Sequence, residues 1–180
     1  EKAYALPASV SRDLSAETLP GSALHAFING HGAAASPREP KAGGVTELNA
    51  AFARSGYTLE LAAGKLLEQP QQVLTWCEGA GPAMSHLRHR IVLGANAQAT
   101  GIMQHGGQDE YLTTQRTDIE LGPGAKLTLY RVQDEAVNSH HLAQTDARLA
   151  RDARLEVVTV DLGAGLARHD LNVVLAEPGA

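Results

Sequence analysis

The chain has 180 residues and a formal charge of -5, from 15 Lys+Arg against 20 Asp+Glu. That length supports one domain with a continuous core, and the acidic balance excludes affinity built on phosphate neutralisation, so no nucleic-acid partner is expected. Cys77 stands alone, which excludes an internal disulfide and cysteine-cluster metal sites, and Glu1-Lys2-Ala3-Tyr4 has neither the charge pattern nor the apolar run of a signal peptide or membrane span, so a reduced, cytoplasmic setting is the expectation.

Residues 1 to 45 are broken by Pro7, Pro20, Gly21, Gly30, Gly32, Pro37, Pro40, Gly43 and Gly44, and read as loop, with an exposed linker from Ser36 to Gly44. One strand-like run, Ala23 to Ile28, interrupts them and is followed by Asn29-Gly30, a dipeptide suited to the positive φ of a tight turn. Thr46 is placed to cap a short helix running to Ser55, with Leu48, Ala51 and Phe52 on one face and Gly56 closing it. Residues 1–55 are thus expected to form a loop, a strand and a capping helix, and residues 56–180 the core.

From Gly56 the hydrophobic period becomes two, and a unit of strand, anchor leucine and Gly/Ala/Asn/Asp turn recurs. The anchors Leu61, Leu93, Leu121, Leu149 and Leu175 are spaced by 32, 28, 28 and 26 residues. No helical pattern separates the copies, which argues against a βαβ sheet. Stacked coils of short strands fit better, because each coil buries a row of small aliphatics that stacking joins into one core. The aromatic content of 4% against 43% hydrophobic residues suits such a core. The fold expected is all-β, a right-handed parallel β-helix, since the left-handed form would need a six-residue period; a jelly roll is the rival. If the anchors stack, Arg90 faces Asp118 and Glu120 faces Arg148 on adjacent coils, which favours this register over a one-residue slip.

The run Met84 to Leu93, then Tyr111-Leu112-Thr113, Ile119 to Leu127, Tyr130 to Glu135 and Leu149 to Ala153, with Phe27 to Gly30 and Leu66 to Pro70 before them, resembles the SufD family in order along residues 23 to 180. The lone cysteine and the Gln133-Asp134-Glu135 run resemble SufD more than its relative SufB. The aromatic-rich stretch usual before the family's first strand is reduced here to Lys2 to Leu6. The resemblance implies the first half of the family's β-helix, and a non-catalytic scaffold that partners SufB and SufC while an iron–sulfur cluster is built and SufC hydrolyses ATP. The region that carries the family's proposed assembly residues and ATPase contacts has no counterpart, so no catalytic, cofactor-binding or metal-ligating residue is carried over, and cluster and ATP belong to the full complex alone.

His86 with His89, and His140 with His141, have opposite parity on a strand, so surface or structural roles outweigh metal binding. Cys77 behind Trp76 reads as a buried thiol without a base, and Gly122-Pro123-Gly124 as a solenoid turn rather than a phosphate loop. The alternative function, a polysaccharide lyase or hydrolase, would place Arg90, Asp118, Asp146 and Arg148 along one outward ladder, but cross-coil pairing accounts for the same charges. The last strand, Arg168 to Leu175, puts Leu171, Val173 and Leu175 in an apolar row before the final turn, so self-association through the C-terminal coil is expected.

Overall fold

The computed structural model describes residues 22–27, 44–53, 55–78 and 82–180. The Asn29-Gly30 turn and nearly all of the expected loop and linker lie outside them. The elements are β1 (Ser22–Phe27), α1 (Gly44–Phe52), β2 (Ser55–Leu61), β3 (Gln71–Cys77), β4 (Ala83–Leu93), β5 (Gln98–Gly107), β6 (Tyr111–Leu121), β7 (Lys126–Glu135), β8 (His140–Leu149), β9 (Arg154–Asp161) and β10 (Leu166–Leu175).

From β2 onward, strands fall alternately into two sheets, one of six strands ordered β1-β2-β4-β6-β8-β10 and one of four ordered β3-β5-β7-β9. Every coil-to-coil pairing is parallel, and only β1 on β2 is antiparallel. This is the expected parallel β-solenoid, of about four turns; a jelly roll would need antiparallel ladders throughout.

The anchors set the register. Leu61 pairs with Leu93, Leu93 with Leu121, Leu121 with Leu149 and Leu149 with Leu175. The first four are buried, whereas Leu175 on the last coil is 63% exposed. Three residues after each of those four anchors the backbone turns left-handed, at Gly64, Asn96, Gly124 and Asp152 with φ of 70°, 57°, 68° and 56°. Residue types that tolerate αL are what the turn requires there. The turns stack through backbone bonds of their own, such as Gly94 N–H to Leu61 O and Gly122 N–H to Leu93 O, both 2.8 Å. Gly122-Pro123-Gly124 is one of these turns. Ala97, Ala125 and Ala153 follow them inward and close the aliphatic half of the lumen with Ile91, Ile119, Leu127 and Leu129.

The helix departs from expectation. It runs from Gly44 to Phe52, so Thr46 lies inside its first turn rather than capping it, and Gly56 belongs to β2. It also buries its polar face: Thr46 and Asn49 are buried while Phe52 is exposed. The surface beneath explains this, because α1 lies on the outer face of β4 and β6, where Asn49 Nδ2 donates to the carbonyls of Leu87 and Thr114 at 3.0 and 3.1 Å, and Thr46 Oγ1 contacts Gln144 Oε1 at 2.7 Å. It therefore straps one sheet instead of capping a coil. The outer edge of β2 is occupied by β1.

Candidate functional site: the polar half of the lumen

Because side chains alternate along a strand, the parity that points the anchors inward also sends Ser85, His89, Thr113, Gln115, Thr117, His141 and Thr145 inward from one sheet, and Thr75, Cys77, His105, Arg131, Gln133 and Glu135 from the other. All are buried. Away from the anchor turns the solenoid thus encloses polar groups instead of leucines. His89 stacks on Tyr57 with ring centroids 4.4 Å apart. Gln115 Nε2 reaches across to Met103 Sδ at 3.6 Å and donates to Thr117 Oγ1 at 3.1 Å. Glu135 Oε2 lies 2.8 Å from His141 Nδ1 and accepts from Gln133 Nε2 at 3.0 Å. The His141 ring is 4.8 Å from that of His105. One coil further, His169 Nε2 contacts Thr145 Oγ1 at 2.9 Å.

Burial, helped by the Arg131 charge, pushes His89 down to about 3 and His169 down to about 4. His105 is held well below the usual imidazole range by burial, then by His141, Arg131 and His89. Burial alone would raise Glu135, but the His141 ring, with Gln133 and Tyr111, outweighs it and holds the carboxyl below its ordinary value. The lumen therefore disfavours the charged form of His89, His105 and His169, encloses one guanidinium, Arg131, and favours the ionised form of Glu135.

The histidine pairs of the sequence separate as parity requires. His89 and His141 face the lumen, whereas His140 faces solvent and His86 contacts Thr114 Oγ1 at 2.8 Å under Phe52 on the outer face. Cys77 is buried with Sγ 3.9 Å from Thr113 Oγ1. Gly107 makes room beside it, since a Cβ there would collide with the Cys77 carbonyl and the Tyr111 hydroxyl.

The outward ladder holds its register, with Arg90 opposite Asp118 and Glu120 opposite Arg148. Its ion pairs differ from expectation. Arg90 reaches Glu120 at 3.3 Å, while Asp118 is shared between Arg116 at 2.9 Å and Arg88 at 3.6 Å, and Arg116 also meets Asp146 at 3.2 Å. Arginines two residues away, on the same strand or the next, reach these carboxylates better than the residues directly opposite. Each of these carboxylates is paired with an arginine, an arrangement that does not favour the lyase or hydrolase alternative.

A family model described as SUF system FeS cluster assembly, SufBD core domain, matches residues 75–180. The chain belongs to this family. A similar protein, an iron–sulfur cluster assembly SufBD family protein of Synechocystis sp., is 30% identical over 106 residues, which cover 53% of this chain and 23% of the relative. The chain thus spans about a quarter of the length of the curated relative it matches. No solved structure matches it.

The SufBD core match takes in the whole polar lumen from Cys77 to His169. Among the described residues no group of three or more His, Cys, Asp or Glu is disposed to hold a metal. Cys77 is the one cysteine of the sequence, His89 Nδ1 accepts from the Tyr57 N–H, and His141 Nδ1 lies against Glu135. No helix among the described residues is long and apolar enough to cross a membrane.

His105, Arg131, Glu135 and His169 were not singled out from the sequence. The signal was available in the parity they share with the inward aliphatic residues of their own strands, but it becomes visible only when residues are compared across coils instead of along them.

Proposed function

We propose that this chain is a non-catalytic, SufD-type scaffold segment that works in the cytoplasm with a SufB-like subunit and a SufC-like ATPase, contributing rigidity and a docking edge to the complex on which an iron–sulfur cluster is assembled. The observation that carries the proposal is the family match running through successive stacked coils, in a chain with one buried cysteine and ladder carboxylates occupied by arginines. The lone cysteine and the Gln133-Asp134-Glu135 run favour the SufD type. The same edge supports self-association through the last coil. There Leu171, Val173 and Leu175 are exposed beside a groove of about 340 Å³ that Leu149, Leu155 and Val157 also line.

The test is reconstitution. The chain, mixed with purified SufB-like and SufC-like subunits, should elute with them, and ATP turnover should require SufC alone. Separate elution of folded subunits, or ATP hydrolysis by this chain by itself, contradicts the proposal.

A further inference from the structure

We propose that the polar half of the lumen contains a site for one small monovalent inorganic anion, no larger than iodide, centred on the Arg131 guanidinium and flanked by His105 and His141. Arg131 is 2% exposed, and its Nε and Nη1 are buried without an acceptor among the described residues. Arg88, Arg90, Arg116, Arg154 and Arg168 each have a carboxylate within 4 Å, as Arg131 does not. A buried guanidinium lacking a contacting counter-charge is costly unless something accepts its hydrogen bonds.

The surroundings decide the sign of the occupant. The carboxylates felt by Arg131 are Asp161 and Glu135. Glu135 is taken by His141 and Gln133, and Asp161 is exposed on the neighbouring strand. His105, which feels the Arg131 charge, and His141 beside it supply donors: both nitrogens of His105 are buried without a partner, and a neutral imidazole carries a proton on one of them. His141 turns Nδ1 to Glu135 and leaves Nε2 without a partner. A cation would be repelled by Arg131, and a neutral ligand would leave its charge unmet. An anion answers both, and the buried Met103, the neighbour of Arg131 in the ladder, limits its size.

The test compares chloride, nitrate, iodide and sulfate salts of one cation by thermal unfolding of the 180-residue chain, with iodide also soaked into crystals. Taken as the difference between the native chain and Arg131→Met, the monovalent anions should raise Tm by about 5–10 °C at a hundred times their Kd, sulfate, whose general stabilising effect is the same in both chains, should add nothing to the difference, and an anomalous iodide peak should lie against Arg131. Arg131→Met should remove the anion-specific rise, and Arg131→Lys should keep part of it. An equal rise in the native chain and Arg131→Met, no rise with any anion, or iodide only on the surface would overturn the proposal in favour of water as the occupant. If Arg131→Met does not fold, the iodide position and Arg131→Lys still decide.

Discussion

The backbone N–H of Tyr57 donates to Nδ1 of His89 across 3.2 Å. That bond requires a lone pair on Nδ1, so the folded protein holds His89 neutral, in agreement with its value near 3. An unfolded histidine titrates near 6.5. Between these values the unfolded chain binds more protons, so stability is complete above about pH 6.5 and falls as pH drops toward 3, by about 1.4 kcal/mol per pH unit for this one residue. At pH 5 the loss from His89 is about 2 kcal/mol relative to pH 7.5. His105 acts in the same direction; His169, partly exposed, adds less. Urea melts across pH should show this slope, and His89→Asn, which keeps an acceptor near the Nδ1 position, should reduce it by about one proton. A flat profile in the native chain would contradict the neutral lumen.

The anchors are not equivalent. Leu121 is 3% exposed and sits between Leu93 and Leu149, so Leu121→Ala should cost about 3 kcal/mol. Leu175→Ala, on the open coil, should cost less than about 1 kcal/mol. Similar losses in urea denaturation would show that the last coil is covered in solution.

Among the outer charges, Asp118→Ala strips a buried guanidinium, Arg116, of its closest partner and should cost about 3 kcal/mol. Glu120→Ala removes a more exposed pair with Arg90 and should cost less than about 1 kcal/mol, falling further in high salt. The ratio of the two, measured at low and high salt, is the check.

At the turns, Gly124 combines φ of 68° with a Cβ direction that runs into Asn96 Oδ1. Gly124→Ala should destabilise by about 1–2 kcal/mol. Asp152→Gly, at the same turn position one coil on, should be neutral or stabilising.

The uncovered row at the last coil gives a fifth expectation. If two copies associate there, sedimentation velocity should show a concentration-dependent dimer, and Val173→Lys should shift it to monomer by placing a charge in the row. A native chain monomeric at high concentration, or a dimer unaffected by the substitution, would remove the basis for this contact.

The solenoid was legible in the sequence because its determinants are periodic. One leucine and one αL-tolerant residue per coil specify the register, and the pairings Leu61–Leu93 through Leu149–Leu175 follow from spacing alone. The seating of α1 was not legible, because the apolar face of an isolated helix gives no hint that the surface awaiting it is the polar outer face of β4 and β6; Asn49 is buried for the sake of two backbone carbonyls. The polar lumen was hidden for a different reason. Arg131, Gln133 and Glu135 in sequence look like a solvated face, and the parity shared with Leu127 and Leu129 puts them inside.

A ladder of transverse strands also behaves as a ruler. Along the six-stranded sheet, β2 and β10 are four strand spacings apart, roughly 19 Å at about 4.8 Å each. Lengthening or shortening such a body by one whole coil changes its span in a fixed increment and leaves the cross-section alone, so features carried on different coils are held at quantised separations. Tension along the long axis would open the ladder one coil at a time, whereas a load across it would be carried by all the coils together.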